Sequence, residues 1–206
     1  ALLAESKLLI RSRKRKMTTT QSHHWMRKYS NLTADLLVDG AEQLWVSDIT
    51  YIRMNNGFVY LSLITDAYSR KIVGFNLRRN LSGEGCLNAL EMALAARRTF
   101  NPTLIHHSDR GVQYCSKPYV DRLTQNNIAI SMTENGDPYE NALAERGNGI
   151  LKTEFNLYSS ALGFEEPCHR VEQSILAYNG LRPHGSCDYL TPTSAHESSG
   201  PLKKRW

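Results

Sequence analysis

Residues 44–68 read LWVSDITYIRMNNGFVYLSLITDAY. Two runs rich in Val, Ile, Thr, Tyr and Leu flank Asn55-Asn56-Gly57. Such residues favour a pleated, half-buried surface, and Asn-Gly between two such runs is a strong hairpin signal. The stretch therefore predicts two antiparallel strands. With Asn56-Gly57 as a two-residue turn, Asn55 pairs with Phe58, Asp48 faces Thr65, and Asp66 faces Ser47. Side chains alternate between the faces of a strand, so Asp48 and Asp66 are expected on opposite sides of the sheet. Asp48, between Val46 and Ile49, is a poor strand former and costly to bury without a partner. Asp66 reads instead as a turn residue before AYSR, where an Asp side chain bonds nearby backbone N–H groups.

Working outward, SRKIVGFNL predicts a third strand. SGEGCLNALEMALAARRTF predicts a helix capped at Ser82, with Leu87, Leu90, Ala93 and Leu94 at helical spacing. LIHHS is a fourth strand, KPYVDRLTQNN a short helix, and IAISM a fifth strand. TENGDPYEN is a polar loop. ALAERGNGILKTEFNLY and EPCHRVEQSILAYNGL are helices, and the tail after Leu181 is rich in turn residues. The order predicts an α/β fold with a mixed five-stranded sheet flanked by helices. It divides the chain into a basic arm over 1–40, a core over 41–160, and a C-terminal helix and tail over 161–206.

The 206 residues suit one catalytic-size domain with extensions. No apolar run reaches the roughly 18 residues of a membrane-spanning helix, and ALLAESKLLI lacks a signal-peptide cleavage pattern. Cys86, Cys115, Cys168 and Cys187 form no CxxC pair, which argues against a zinc knuckle and for reduced thiols in a cytosolic protein. The net charge is +5, but the first 30 residues hold eight basic side chains against Glu5 alone. A basic arm on a near-neutral body points to an anionic polymer as partner, or else to a solvated tail.

Two further acids stand out. Asp109 ends the fourth strand in HHSDRGVQY, where Arg110 and Gly111 form a turn that aims it. Glu145 lies on the helix after the polar loop, with 35 residues between it and Asp109. At about 100° per residue, Glu145, Gly149 and Lys152 share one helical face, with Leu143, Gly147, Ile150 and Leu151 opposite. Gly147 and Gly149 weaken the helix, which suggests a close approach by another group. Carboxylates on a strand centre, a strand end and a helix suit two divalent cations. Such a pair activates an attacking oxygen and stabilises a leaving one. His106 and His107 are adjacent in a strand and cannot share one metal; one belongs to the core and the other near the cleft. His23 and His24 lack a cysteine pair at finger spacing. Trp45 reads as core. Arg182 and His184 either contact phosphate or hold the tail down.

WVSDITYI, HHSDRGVQY and ENALAERGNGILKTEF, with YNGLRPHGSCDYLTP near the end, closely resemble the DDE transposases of insertion sequences. The nearest group is the OrfB type, relatives of retroviral integrases. The resemblance spans about residues 17–196. It implies an RNase H-like fold and double-stranded DNA as substrate. It also implies a homo-oligomer bridging the two element ends, and Asp48, Asp109 and Glu145 as the catalytic, metal-binding triad for Mg²⁺ or Mn²⁺. Lys152 resembles the basic residue that contacts DNA near the scissile phosphate. Gln113, Tyr114, Asn141 and Arg182 are further candidates for DNA contact, as is Tyr139. Such transposases generally carry a helix-turn-helix region before the core, whereas this chain starts without Met in what resembles the linker after it. A nuclease of the same fold, or an inactive DNA-binding descendant, is the alternative.

Overall fold

The computed structural model of the chain describes residues 24–55, 57–97, 103–134, 141–155, 157 and 164–203. The basic cluster of residues 1–16, His23 and Tyr139 lie outside them. Five strands form one sheet: β1 (Leu44–Met54), β2 (Gly57–Asp66), β3 (Ile72–Arg78), β4 (Ile105–Ser108) and β5 (Ala129–Met132). Their order is β3-β2-β1-β4-β5. The first three are antiparallel, and β4 and β5 run parallel to β1. Helices α1 (Gly83–Ala96), α2 (Val112–Cys115), α3 (Lys117–Gln125), α4 (Ala142–Glu154), α5 (Glu165–Leu181) and α6 (Pro192–Glu197) follow in chain order. The sequence predicted all of these except α2, α6 and a 3₁₀ turn at Gly185–Cys187. These are single turns too short to show a period.

Alternation along the strands packs both faces of the sheet. Trp45, Ile49, Ile64 and Val73 face α1, α2 and α3, meeting Ala89, Leu90, Ala93, Tyr114, Tyr119 and Leu123. Ile52, Val59, Leu61, Leu63 and Ile72 face α4 and α5, meeting Leu151, Val171, Ile175 and Tyr178. Since α5 supplies three residues to that second cluster, the sheet core draws on chain beyond residue 160. Helix α1 lies close on β3 because Gly74 has no side chain: a Cβ there would stand 2.1 Å from the Ala89 carbonyl oxygen.

The hairpin closes differently from expectation. Met54 pairs with Gly57, and Gly57 takes φ +129° as the first residue of β2. Asp48 therefore faces Leu63, and Asp66 faces Trp45. The slip is two residues, which preserves the face of every side chain. Asp48 and Asp66 remain on opposite faces, as expected.

Residues 24–33 are held against the core. The Met132 and Leu32 amides donate to Ser30 O (3.4 Å) and Ser131 Oγ (2.9 Å), and the Asn31 amide to Glu134 Oε1 (2.9 Å). Met26 and Tyr29 pack on the first core cluster. Within the basic arm read over 1–40, the chain is thus docked on the core from His24 onward. A segment this polar shows no periodic pattern to announce that it docks.

Candidate active site

The parallel pairing of β1 with β4 sets Trp45 beside His106 and Val46 beside His107. Two residues further on, the strands reach Asp48 and Asp109. β4 ends at Ser108 while β1 continues to Met54. Asp48 therefore sits mid-strand just where its neighbour stops and the sheet edge opens. Asp109 Oδ1 accepts the Gly111 amide at 2.9 Å, which fixes the carboxylate across the turn. Gly111 is buried between two oxygens: a Cβ there would lie 3.0 Å from Asp109 Oδ1 and 3.1 Å from Gln113 Oε1.

Helix α4 crosses this spot. Asn141, its N-terminal flank, donates from Nδ2 to Ser47 O at 3.1 Å, and Asn148 donates from Nδ2 to Asp48 Oδ2 at 2.6 Å. Glu145, exposed, lies one turn before Asn148. Gly147 is buried with Thr65 Oγ1 as the nearest atom to its missing Cβ, at 3.9 Å, whereas Gly149 faces open space. The close approach expected of these glycines is found at neither, since a Cβ would fit at both.

Burial raises the Asp48 carboxyl to about 7. The charge of Asp109 adds to this, the Asn148 hydrogen bond opposes it, and the charge of Glu145 raises it further. Of the three acids predicted from sequence, Asp109 and Glu145 thus both act on Asp48. Among the described residues, no three His, Cys, Asp or Glu side chains converge tightly enough to form a ready metal cage. The donor chemistry nevertheless fits a hard divalent cation, which takes carboxylate oxygens and keeps waters. Among the described residues, two buried carbonyl oxygens flanking the acids, Asn148 Oδ1 and Gln113 Oε1, find no hydrogen-bond partner. Unpaired acceptors beside carboxyl groups are the environment that a hydrated cation relieves.

The other candidates separate. Lys152 Nζ stands 4.6 Å from the Tyr51 ring centroid, further along β1 from Asp48. Gln113 and Tyr114 are buried, Tyr114 edge-on to Tyr119 with centroids 5.4 Å apart, and Asn141 is buried and bonded to β1. All three side chains are held inside the fold. Helix α2 turns Gln113 and Tyr114 inward, and the Ser47 carbonyl holds Asn141. Arg182 makes a bidentate pair with Glu154, both bonds 2.6 Å, which joins the ends of α4 and α5.

His106 and His107 are both interior, which corrects the expectation that one lies near the cleft. His106 Nε2 lies 2.7 Å from Ser47 Oγ and 2.8 Å from Tyr119 OH, and burial lowers its pKa to about 3. His107 Nδ1 lies 2.8 Å from Ser131 Oγ. Trp45 is core, as expected. Asp66 is fully buried, accepting the Ser69 amide (2.9 Å), the Ser69 hydroxyl (2.8 Å) and the Glu42 amide (2.8 Å). Sequence reading missed Asn148, whose only signal was its position one turn after Glu145.

An α/β sheet of order 3-2-1-4-5 with acids at the β1–β4 edge and on a crossing helix defines a class, and comparison with known proteins agrees. The integrase core domain family matches residues 39–138, and a second integrase core domain family matches residues 126–192. The transposase for insertion sequence element IS629 of Shigella sonnei is 37% identical over 140 residues, 68% of this chain and 47% of that protein. The insertion element IS600 uncharacterized 31 kDa protein of Shigella sonnei is 32% identical over 198 residues, 95% of this chain and 72% of that protein. The chain thus spans about half the length of several relatives it matches.

Among solved structures, the fold is similar to a simian T-cell lymphotropic virus intasome chain (TM-score 0.66, 20% identity, 90% of this chain and 64% of that one). It is also similar to the HTLV-2 integrase catalytic core domain in complex with magnesium (TM-score 0.60, 17% identity, 76% and 97%). The fold is RNase H-like, and the chain belongs to the integrase core domain family, alongside insertion-sequence transposases. No helix among the described residues is long and apolar enough to cross a membrane.

Proposed function

We propose that this chain is the catalytic core of a DNA transposase, hydrolysing a phosphodiester at the element ends and joining the freed 3′-hydroxyl to target DNA. The observation that carries the reading is the mutual electrostatics of Asp48, Asp109 and Glu145, with Asp48 mid-strand at an open sheet edge. In this reading the three carboxylates hold Mg²⁺ or Mn²⁺, two ions per site. Bound there, the ions activate the attacking oxygen and stabilise the leaving one. Asn148 fixes the orientation of Asp48, and Asn141 pins the start of α4 to β1, so that Glu145 is presented from a braced helix. The Gly111 amide holds Asp109 in its turn. Lys152, stacked on Tyr51, lies along the path a phosphate backbone takes past Asp48. The names of the relatives support DNA transposition as the reaction, and the magnesium in the HTLV-2 structure supports the metal. The intasome supports a homo-oligomer that brings two double-stranded ends together.

The test uses duplexes carrying the element's ends with a labelled 3′-hydroxyl strand, incubated with a target plasmid. Label should enter the plasmid with Mg²⁺ or Mn²⁺ and stop doing so with EDTA. Ca²⁺ should permit DNA binding with little turnover, because its looser coordination positions the attacking oxygen poorly. Cleavage without label transfer would assign a nuclease of the same fold. Binding with neither reaction would assign an inactive descendant, and undiminished reaction in EDTA would refute the metal mechanism.

A further inference from the structure

The segment that docks residues 24–33 on the core presents a sharp division between its faces. Met26 and Tyr29 turn inward onto the first core cluster. Trp25 turns outward and is 91% exposed, although buried apolar surface lies one residue away. Arg27 and Lys28, next along, are exposed as well, and the Arg27 guanidinium lies 4.9 Å over the Tyr29 ring. The segment is tied down directly before Trp25: His24 Nε2 donates to the Arg110 carbonyl at 2.9 Å. Arg110 follows Asp109, so Trp25 is anchored one contact away from the proposed catalytic carboxylate.

We propose that Trp25, Arg27 and Lys28 form a single-strand subsite beside Asp109, with Trp25 stacking on an unpaired or terminal base of the DNA end and the two cations meeting its phosphates. The proposal rests on the reading of the chain as a DNA-processing core. Packing among the described residues gives no reason for Trp25: an apolar side chain of this size normally finds cover, and the strap has cover available at the adjacent position. A nucleobase suits the site because its flat face covers an indole while the flanking cations keep company with phosphate. An apolar protein surface would cover the indole but strip water from Arg27 and Lys28 with nothing in exchange. Bases inside a duplex are not available for stacking. A strand end is, and a strand end is what cutting beside Asp109 produces.

The experiment measures affinity of the full chain, by anisotropy, for a blunt duplex and for the same duplex with a three-nucleotide single-stranded overhang. The wild type should prefer the overhang by about tenfold, within the range for one base stacked on an aromatic ring. Trp25→Ala should abolish the preference and Trp25→Phe should retain part of it. A 2-aminopurine in the overhang should be quenched by the wild type and not by Trp25→Ala. Arg27→Ala and Lys28→Ala should each flatten the salt dependence by about one counterion. All four variants should melt at the wild-type temperature, since each side chain is exposed.

A wild type that binds both duplexes equally, or a Trp25→Ala protein that keeps the preference, would overturn the subsite while leaving the transposase reading intact. A Trp25→Ala protein altered in sedimentation but not in overhang preference would assign Trp25 to contact between copies, and overturn the subsite equally. A wild type that binds neither duplex would refute the functional reading itself.

Discussion

Replacing Asp48 by Asn should make the metal-free protein more stable while ending its chemistry. The folded-state carboxyl sits at about 7, against a reference of 3.8. A group whose pKa is raised on folding contributes stability that is complete below the unfolded value and is lost as pH rises through the folded one. Wild type and variant should therefore match near pH 4. The wild type should then fall behind by about 1.4 kcal/mol per pH unit up to about pH 7, and level off. The full shift corresponds to about 4 kcal/mol. Asp48 keeps part of its surface in contact with solvent, so about 2–3 kcal/mol at pH 8 is the working expectation. The Asn148 bond survives, because the new amide oxygen accepts from the same Nδ2. In a chain of this length such a gain raises the melting temperature by about 4–12 °C. The assay is calorimetry or circular-dichroism melting of both proteins in EDTA at pH 4, 6 and 8, repeated at pH 8 with Mg²⁺. Added Mg²⁺ should stabilise the wild type and leave the variant nearly unchanged. DNA binding should persist in the variant and cleavage should vanish. Equal melting temperatures at pH 8 in EDTA would refute the electrostatic account. A folded variant with near wild-type cleavage would refute the role of Asp48.

Asp66→Ala should cost about 2–4 kcal/mol in denaturant unfolding, because three buried donors from Ser69 and Glu42 lose their acceptor. Below its melting point the variant should retain metal-dependent cleavage; loss of cleavage in the folded state would give Asp66 a part in the chemistry. Gly74→Ala should destabilise by about 1–3 kcal/mol or more, because its Cβ meets the backbone oxygen of Ala89; an unchanged unfolding midpoint would mean that α1 moves away at no cost. Arg182→Ala should cost about 1 kcal/mol or less, since its pair with Glu154 is half-exposed. Its DNA affinity should keep the same slope against salt, and a slope reduced by one counterion would return Arg182 to the DNA surface.

Strand and helix order was legible in the sequence because it depends on local periodicity, and β1 through β5 announce themselves by runs of β-formers between turn residues. The three acids were legible too, each as a charge out of place in its own element: Asp48 inside an apolar strand, Asp109 at a strand tip, Glu145 beside glycines on a helix. The faces of Asp48 and Asp66 followed from the period of two, which survived an error in the turn because the slip was even. Local patterns carry no information about partners far along the chain. Only the folded chain decided that Asn148, 100 residues from Asp48, holds its carboxylate, and that Tyr114 and Gln113 turn inward at α2. The same is true of His24, which ties the start of the described chain to the carbonyl after Asp109. The physical reason is that hydrogen bonds and burial depend on distance in space. A β1–β4 pairing joins residues some 60 positions apart, and the sequence records what each residue is able to do without recording what it meets.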